Sequence, residues 1–221
     1  MDIKVLSTEV SSLIAAGEVI ESPSSVVKEL IENSIDAGSS RIIINTTEGG
    51  IRALSVSDDG RGIPSDQVSI AFKRYATSKV SVVGDLDRIN TLGFRGEALF
   101  SIAAVSNVKV TTKFTGDDFG TAAEIRDGNN IRQSPIGVPT GTTIKVEDLF
   151  SNFPARRKFL RSAVAEKGRV HKLVQKYALS NPLVSFNLVQ DGKDQLLTGG
   201  KGSVREAVSY THLTLPTILL V

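Results

Sequence analysis

Four polar residues near the N-terminus recur at helical spacing. Glu29, Glu32, Asn33 and Asp36 stand at i, i+3, i+4 and i+7, which places them on one face of a helix. A solvated face is the plain explanation of such a stripe. Against it, three acids crowd the stripe with Lys28 as the only base beside them, and each like-charged i,i+4 pair costs about a few tenths of a kcal/mol. Asn is also a mediocre helix former at mid-helix. A carboxylate and a carboxamide one turn apart suit a metal–nucleotide site: the carboxylate orients and deprotonates a water, and the amide oxygen ligates a hard cation such as Mg²⁺.

Four further blocks carry chemistry. Asp58-Asp59-Gly60-Arg61-Gly62-Ile63 reads as a turn. Its glycines let backbone approach a flat ligand, and a carboxylate at the end of a strand can accept an amino hydrogen from a purine. Gly93-Phe94-Arg95-Gly96-Glu97-Ala98-Leu99 places glycines directly before a helix, an arrangement that suits phosphate. Thr77-Ser78-Lys79 adds two hydroxyls and a cation upstream. Gly141-Thr142-Thr143 enters a strand, with hydroxyls that serve either the sheet or a base. No G-x-x-x-x-G-K-[ST] loop occurs.

Composition narrows the chemistry further. Of 221 residues, 40% are hydrophobic and 23% charged, enough apolar content for a packed core. Cysteine is absent and only His171 and His212 are histidine. That excludes a disulfide scaffold, a Cys-based zinc site and a Cys nucleophile, and leaves almost no material for a Ser-His-Asp triad or a multi-His metal cluster. With no Trp and 5% aromatics, a base-stacking single-strand binder is disfavoured. The net charge of +2 is unevenly spread: residues 1–66 hold eleven acids and five bases, whereas 156–176 hold eight bases and one acid. Two surfaces with different partners are expected. No signal peptide opens the chain and no run approaches a membrane span, so a soluble protein without a membrane partner is expected.

These residues need particular elements to hold them. Residues 9–20 read as a helix. A second runs from Pro23, behind Ser22 as N-cap, to a stop at Gly38, with Val27, Leu30, Ile31 and Ile35 as its apolar stripe. Arg41–Asn45 and Ile51–Ser57 read as a hairpin. Helices are predicted near 65–76 and 97–105. Strands follow at 107–114, 121–126, 131–134 and 142–147, with a turn at Asp127–Asn130. A helix at about 161–180 and a hairpin over 183–190 and 194–198 complete the pattern. It predicts an α+β sandwich with a mixed, mostly antiparallel sheet and helices on one face.

The runs Ile14–Val19 (IAAGEV) and Val26–Gly38 (VVKELIENSIDAG) closely resemble the N-terminal ATPase region of the MutL mismatch-repair family. So do Asp58–Gly62, Ala76–Lys79, Leu92–Leu99, Gly141–Thr143 and Pro154–Leu160 (PARRKFL). The match covers roughly residues 1–208, and the order of the blocks is highly specific. The family belongs to the GHKL superfamily with type II topoisomerases, a large heat-shock chaperone and histidine kinases, and the resemblance implies its Bergerat ATPase sandwich. It implies ATP and Mg²⁺ as cofactors. Glu29 would then be the general base and Asn33 the Mg²⁺ ligand. Asp58 would bond the adenine amino group, with Gly62 and Thr143 nearby. Thr77, Lys79 and Gly93, Phe94, Arg95, Gly96, Glu97, Ala98 and Leu99 would cover the phosphates. The resemblance also implies DNA binding without sequence preference, to which Arg156, Arg157, Lys158 and Arg161 would contribute. It implies a MutS-type mismatch-recognition partner and dimerisation on ATP binding. The expected location is cytoplasmic in a bacterium and nuclear in a eukaryote.

By the same resemblance, residues 1–203 form the ATPase domain and 204–221 the start of a second domain. Family-like sequence ends near Val208. Tyr210–Val221 (YTHLTLPTILLV) differs from it, which suggests a truncated or misjoined reading frame with impaired hydrolysis, because family members draw a phosphate-binding lysine from the second domain. Two alternatives stand beside this reading: another GHKL enzyme such as a topoisomerase ATPase subunit, and a nucleotide-independent DNA-binding module using the basic segment.

Overall fold

A computed structural model describes residues 4–5, 8–79, 84, 91–93, 95–126 and 130–202, the side chains of 8–13 and 130 excepted. The expected turn at 127–129, Phe94 and the tail from 203 lie outside the described residues. The elements are α1 (Thr8–Val19), α2 (Pro23–Asp36), β1 (Arg41–Thr47), β2 (Ala53–Asp58), α3 (Val68–Ala71), α4 (Ala98–Ala104), β3 (Asn107–Lys113), β4 (Gly120–Arg126), β5 (Asn130–Ile136), β6 (Gly141–Glu147), α5 (Pro154–Phe159), α6 (Ala163–Ser180), β7 (Ser185–Gln190) and β8 (Lys193–Leu197). A short 3-10 turn, Glu48–Gly50, joins β1 to β2.

The strands form one eight-stranded sheet in the order β5-β4-β3-β6-β2-β1-β7-β8. All neighbours are antiparallel except β1 and β7, which run parallel. A parallel pair needs a long crossover, and here that crossover contains most of the chain. Strand register aligns Leu188, Ile44, Val56, Ile144, Val110 and Ala123 in one row across six strands. Every member is buried, because alternate residues of a strand face the same side. Helices α2, α4 and α6 pack on that side, and α1 packs on α4. The arrangement is the expected α+β sandwich.

Helix α2 forms where predicted. Pro23 occupies its first turn, where a missing N–H costs nothing. The Ser22 hydroxyl makes no cap bond to the backbone; it lies 2.9 Å from Ser24 Oγ. Gly38, at φ +76°, ends the helix as the amides of Gly38 and Ser39 return to the carbonyls of Ile35 and Ser34. Val26, Val27, Leu30 and Ile31 are buried against the sheet. Of the polar stripe, Asn33 and Asp36 face the segments after α3 and before α4, whereas Glu32 is buried toward α6.

The helix expected over 65–76 is shorter. Only Val68–Ala71 is helical, and the chain leaves it through turns to Tyr75 at φ +64°. Phe72 is buried by this turn, so its apolar signal reflects tertiary burial and not helical length.

Gly141 marks a tight backbone approach directly beside Asp58. It enters β6 at φ +129°, and a Cβ there would lie 2.1 Å from the Asp58 carbonyl oxygen. Gly141→Ala is expected to destabilise the fold by roughly 2–4 kcal/mol, lowering Tm by roughly 5–15 °C. Thermal unfolding followed by circular dichroism measures this, and a Tm within about 1 °C of the parent would contradict it.

Candidate nucleotide site

The polar face of α2 is the floor of the site. Asn33 and Asp36 meet two separate loop segments there. Lys79 Nζ donates to Asn33 Oδ1 at 3.1 Å and to Asp36 Oδ2 at 2.5 Å. The amides of Leu92 and Gly93 donate to Asp36 Oδ1 and Oδ2 at 3.0 and 3.3 Å. These segments adjoin each other directly, since a Cβ on Gly93 would lie 3.4 Å from Lys79 Nζ.

Asp58, at the end of β2, joins the same helix. Its Oδ2 accepts from Ser34 Oγ at 2.8 Å and its Oδ1 accepts from the Gly60 amide at 2.9 Å. Burial pushes the Asp58 carboxyl above its ordinary value, and the donors from Gly60, Ser34, Ser39 and Thr142 offset only part of that. Its neighbour Asp59 has a different fate. Burial pushes that carboxyl up too, but the hydroxyl and amide of Ser40 and the amide of Arg41 outweigh burial and hold it below its ordinary value. Asp59 therefore ties the start of β1 to the end of β2, while Asp58 faces α2 with its burial only partly offset.

Glu29 lies one turn before Asn33 and is half-buried. Lys28 Nζ bridges Glu29 Oε1 at 2.9 Å and Glu32 Oε2 at 3.0 Å. Burial alone would lower the Lys28 ammonium's pKa; hydrogen bonds to Glu29 and Glu32 reverse the sign and raise it. The buried Glu32 also accepts from Tyr177 Oη of α6 at 2.5 Å. Burial, and then the Glu32 carboxylate, push the Tyr177 phenol well above the ordinary tyrosine range. The sequence contains no signal for this contact, which joins residues 145 positions apart.

The other predicted residues fall into three groups. Gly62, at φ +75°, owes its identity to the chain: a Cβ there would meet the Lys113 carbonyl oxygen at 1.9 Å. Gly96, at φ +63°, packs likewise on Ala76, with the carbonyl oxygen 2.6 Å from its notional Cβ. Glu97, before α4, accepts from Arg74 Nε at 3.3 Å. Gly96 and Glu97 thus brace the segment between Arg74 and Lys79. Ala98 and Leu99 open α4, and Arg95 is exposed. Thr77 is exposed, and its hydroxyl accepts from the Lys79 amide at 3.1 Å.

Thr143 is placed otherwise than expected. Register sets Asp58 opposite Thr142 and Ser57 opposite Thr143. Successive side chains point to opposite faces, so Thr142 shares the helix-side face with Asp58 and lies 2.9 Å from Thr112 Oγ1. Thr143 bonds Ser57 Oγ at 3.0 Å on the other face.

The basic segment lies on α5 and the entry to α6. Arg157, Lys158 and Arg161 are exposed. Arg156 is half-buried over α1, where its guanidinium occupies the space a Cβ on Gly17 would need. Among the described residues, no group of three His, Cys, Asp or Glu side chains could hold a metal ion, and no helix is long and apolar enough to cross a membrane.

A family profile described as histidine kinase-, DNA gyrase B- and HSP90-like ATPase matches residues 20–150. The DNA mismatch repair protein MutL of Thermodesulfovibrio yellowstonii is 50% identical over 194 residues, which is 88% of this chain and 36% of that protein. MutL of Streptococcus pneumoniae is 48% identical over 196 residues, covering 89% of this chain and 30% of that protein. The chain thus spans about a third of the length of these relatives. The Aquifex aeolicus MutL ATPase domain complexed with ADP superposes with a TM-score of 0.71 at 34% identity, covering 87% of this chain and 69% of that one. With the α2 face, the Asp58 turn and the Gly93 segment assembled on one sandwich, the chain belongs to the histidine kinase-, DNA gyrase B- and HSP90-like ATPase family and, within it, to the ATPase region of the MutL proteins.

Proposed function

We propose that this chain binds ATP with Mg²⁺ and hydrolyses it, as the ATPase module of a mismatch-repair protein. The observation that carries this reading is the convergence on α2 of Asn33, Asp36, Lys79 and Gly93, with Asp58 tied to Ser34 of the same helix. Asp58 accepts the adenine amino hydrogens. An added donor relieves a carboxylate whose burial is only partly compensated. Lys79 supplies positive charge and, with its third ammonium hydrogen, a donor for the phosphates.

Asn33 fits the magnesium role. Its Oδ1 already takes a cation, the Lys79 ammonium, and Mg²⁺ bound to a nucleotide needs only one or two protein oxygens besides phosphate and water. When bound, the ion neutralises phosphate charge. Glu29 takes the proton of the attacking water as general base. Thr77, Arg95, Glu97, Ala98 and Leu99, with Phe94 outside the described residues, belong to the phosphate-side wall. Gly96 shapes that wall through backbone contact with Ala76, Gly62 shapes the adenine end after Asp58, and Thr143 serves the β2–β6 pairing.

The partners follow from the same reading: a MutS-type mismatch-recognition protein, a second copy or paralogue on ATP binding, and DNA. Arg157, Lys158 and Arg161 present exposed charge for DNA phosphates, an interaction that weakens steeply with salt. Arg156 contributes from its place over α1.

Calorimetric titration of the chain with a non-hydrolysable ATP analogue, with and without Mg²⁺, tests the reading. Saturable binding that Mg²⁺ tightens roughly tenfold or more is expected. No binding at about 1 mM analogue, where affinity is worth only ~4 kcal/mol, would overturn it.

A further inference from the structure

Asp36 carries more of the site than its place at the end of α2 suggests. Its side chain is 6% exposed. Both carboxylate oxygens are occupied, and all three donors come from far along the chain: Lys79 Nζ, the Leu92 amide and the Gly93 amide. Asn33, one turn earlier, shares the Lys79 ammonium. The close approach of Gly93 to Lys79 Nζ is a separate measure of the same convergence.

We propose that Asp36 is a positioning residue for the triphosphate, holding the Lys79 ammonium and the Leu92–Gly93 segment together beside Asn33. The inference rests on the reading of this face as a nucleotide site. The physical reason is preorganisation. Two chain segments must be brought together at the phosphate side, and ordering a long side chain such as Lys79 only at the moment of binding costs affinity. Asp36 orders them in the ligand-free protein.

Direct electrostatics points the other way. A carboxylate near a triphosphate repels it, so a purely Coulombic role makes removal of the charge favourable to binding. Positioning makes the same removal unfavourable. The two accounts therefore differ in sign, and they differ again in which part of the nucleotide is affected. Asp36 touches the phosphate-side segments, whereas the adenine end belongs to Asp58 and Ser34.

The test uses the full chain and three variants: Asp36→Asn, Asp36→Glu and Asp58→Ala. Calorimetry with Mg²⁺ compares a non-hydrolysable ATP analogue with AMP, and amide hydrogen exchange is followed without ligand. Asp36→Asn is expected to weaken the analogue roughly tenfold or more while AMP changes less than about twofold. It should also speed exchange of the Leu92 and Gly93 amides about tenfold or more, with the amides of α2 and β2 unchanged. Asp36→Glu should recover part of the loss. Unchanged or tighter analogue binding by Asp36→Asn would overturn the inference, as would equal losses for AMP and the analogue, or unchanged exchange at Leu92 and Gly93. If instead Asp58→Ala binds both ligands like the parent, the nucleotide reading fails, and the exchange result still decides whether Asp36 holds the two segments.

Discussion

Asp58→Ala is expected to weaken the binding of ATP or its non-hydrolysable analogue at least ~100-fold, equivalent to ~3 kcal/mol. The side chain is held at the end of β2 by Ser34 Oγ and the Gly60 amide. Those donors are too few to offset its burial, so its carboxyl sits above the ordinary aspartate value. A ligand that donates an amino hydrogen supplies the missing interaction, and alanine has nothing to receive it. Stability should move the other way. A carboxyl with a raised folded pKa favours the folded state only below its unfolded value, and that contribution is lost as pH rises through the folded value. At neutral pH the ionised Asp58 is thus a cost to folding, and Asp58→Ala should melt no lower than the parent beyond the effect of lost local hydrogen bonds. Binding has its own pH signature. Nucleotide favours the ionised form, so affinity should fall on acidification at a pH above that at which an ordinary aspartate titrates. Calorimetry across pH 4–8 measures both effects; analogue affinity within about threefold of the parent, under ~1 kcal/mol, would remove Asp58 from the base-recognition role.

Glu29→Ala should separate binding from turnover. Analogue affinity should stay within about threefold of the parent, while hydrolysis of radiolabelled Mg·ATP, followed in a protein extended through the second domain that supplies the phosphate-binding lysine, should fall by roughly 10²–10⁴, the usual contribution of a general base. The separation follows from geometry. Among the described residues the Glu29 carboxylate bonds Lys28, whereas Asn33 and Asp36 bond Lys79 and Asp36 bonds Gly93. Lys28 keeps Glu32 as a partner, and Glu32 keeps Tyr177, so α2 retains its packing in the variant. Equal turnover by variant and parent would exclude Glu29 as the base. Loss of analogue binding together with turnover would instead mark Glu29 as part of the binding surface.

Much of this arrangement was legible in local pattern. Pro23 and Gly38 bracket α2 because ring closure in one and a positive φ in the other act within a single turn. Helical period then placed Glu29, Asn33 and Asp36 on one face without knowledge of the fold. Strand alternation located β1, β2, β3, β4, β6, β7 and β8 to within a few residues, since each strand buries one face of the same sheet. The helix expected over 65–76 was not so readable. Phe72 is buried by a turn that leaves the helical path, and periodicity cannot distinguish that from a longer helix.

Partner choice was not legible at all. Nothing local distinguishes Asp58 from Asp59, yet Ser40 and Arg41 hold the second while Ser34 of α2 and the Gly60 amide hold the first. Thr142 and Thr143 are identical in type, and the one-residue phase of β6 against β2 decides which faces Asp58's side of the sheet. Glu32 reads only as one acid of the α2 polar stripe until α6 brings Tyr177 to it. The sequence by itself determined which segments become helix or strand and which polar residues share a face, because those follow from backbone geometry over a few residues. Only the tertiary structure decided that Lys79 and Gly93 meet at Asp36 and that Tyr177 meets Glu32. Such contacts join residues tens of positions apart, and they depend on sheet register and helix packing summed over the whole core, which no short-range period encodes.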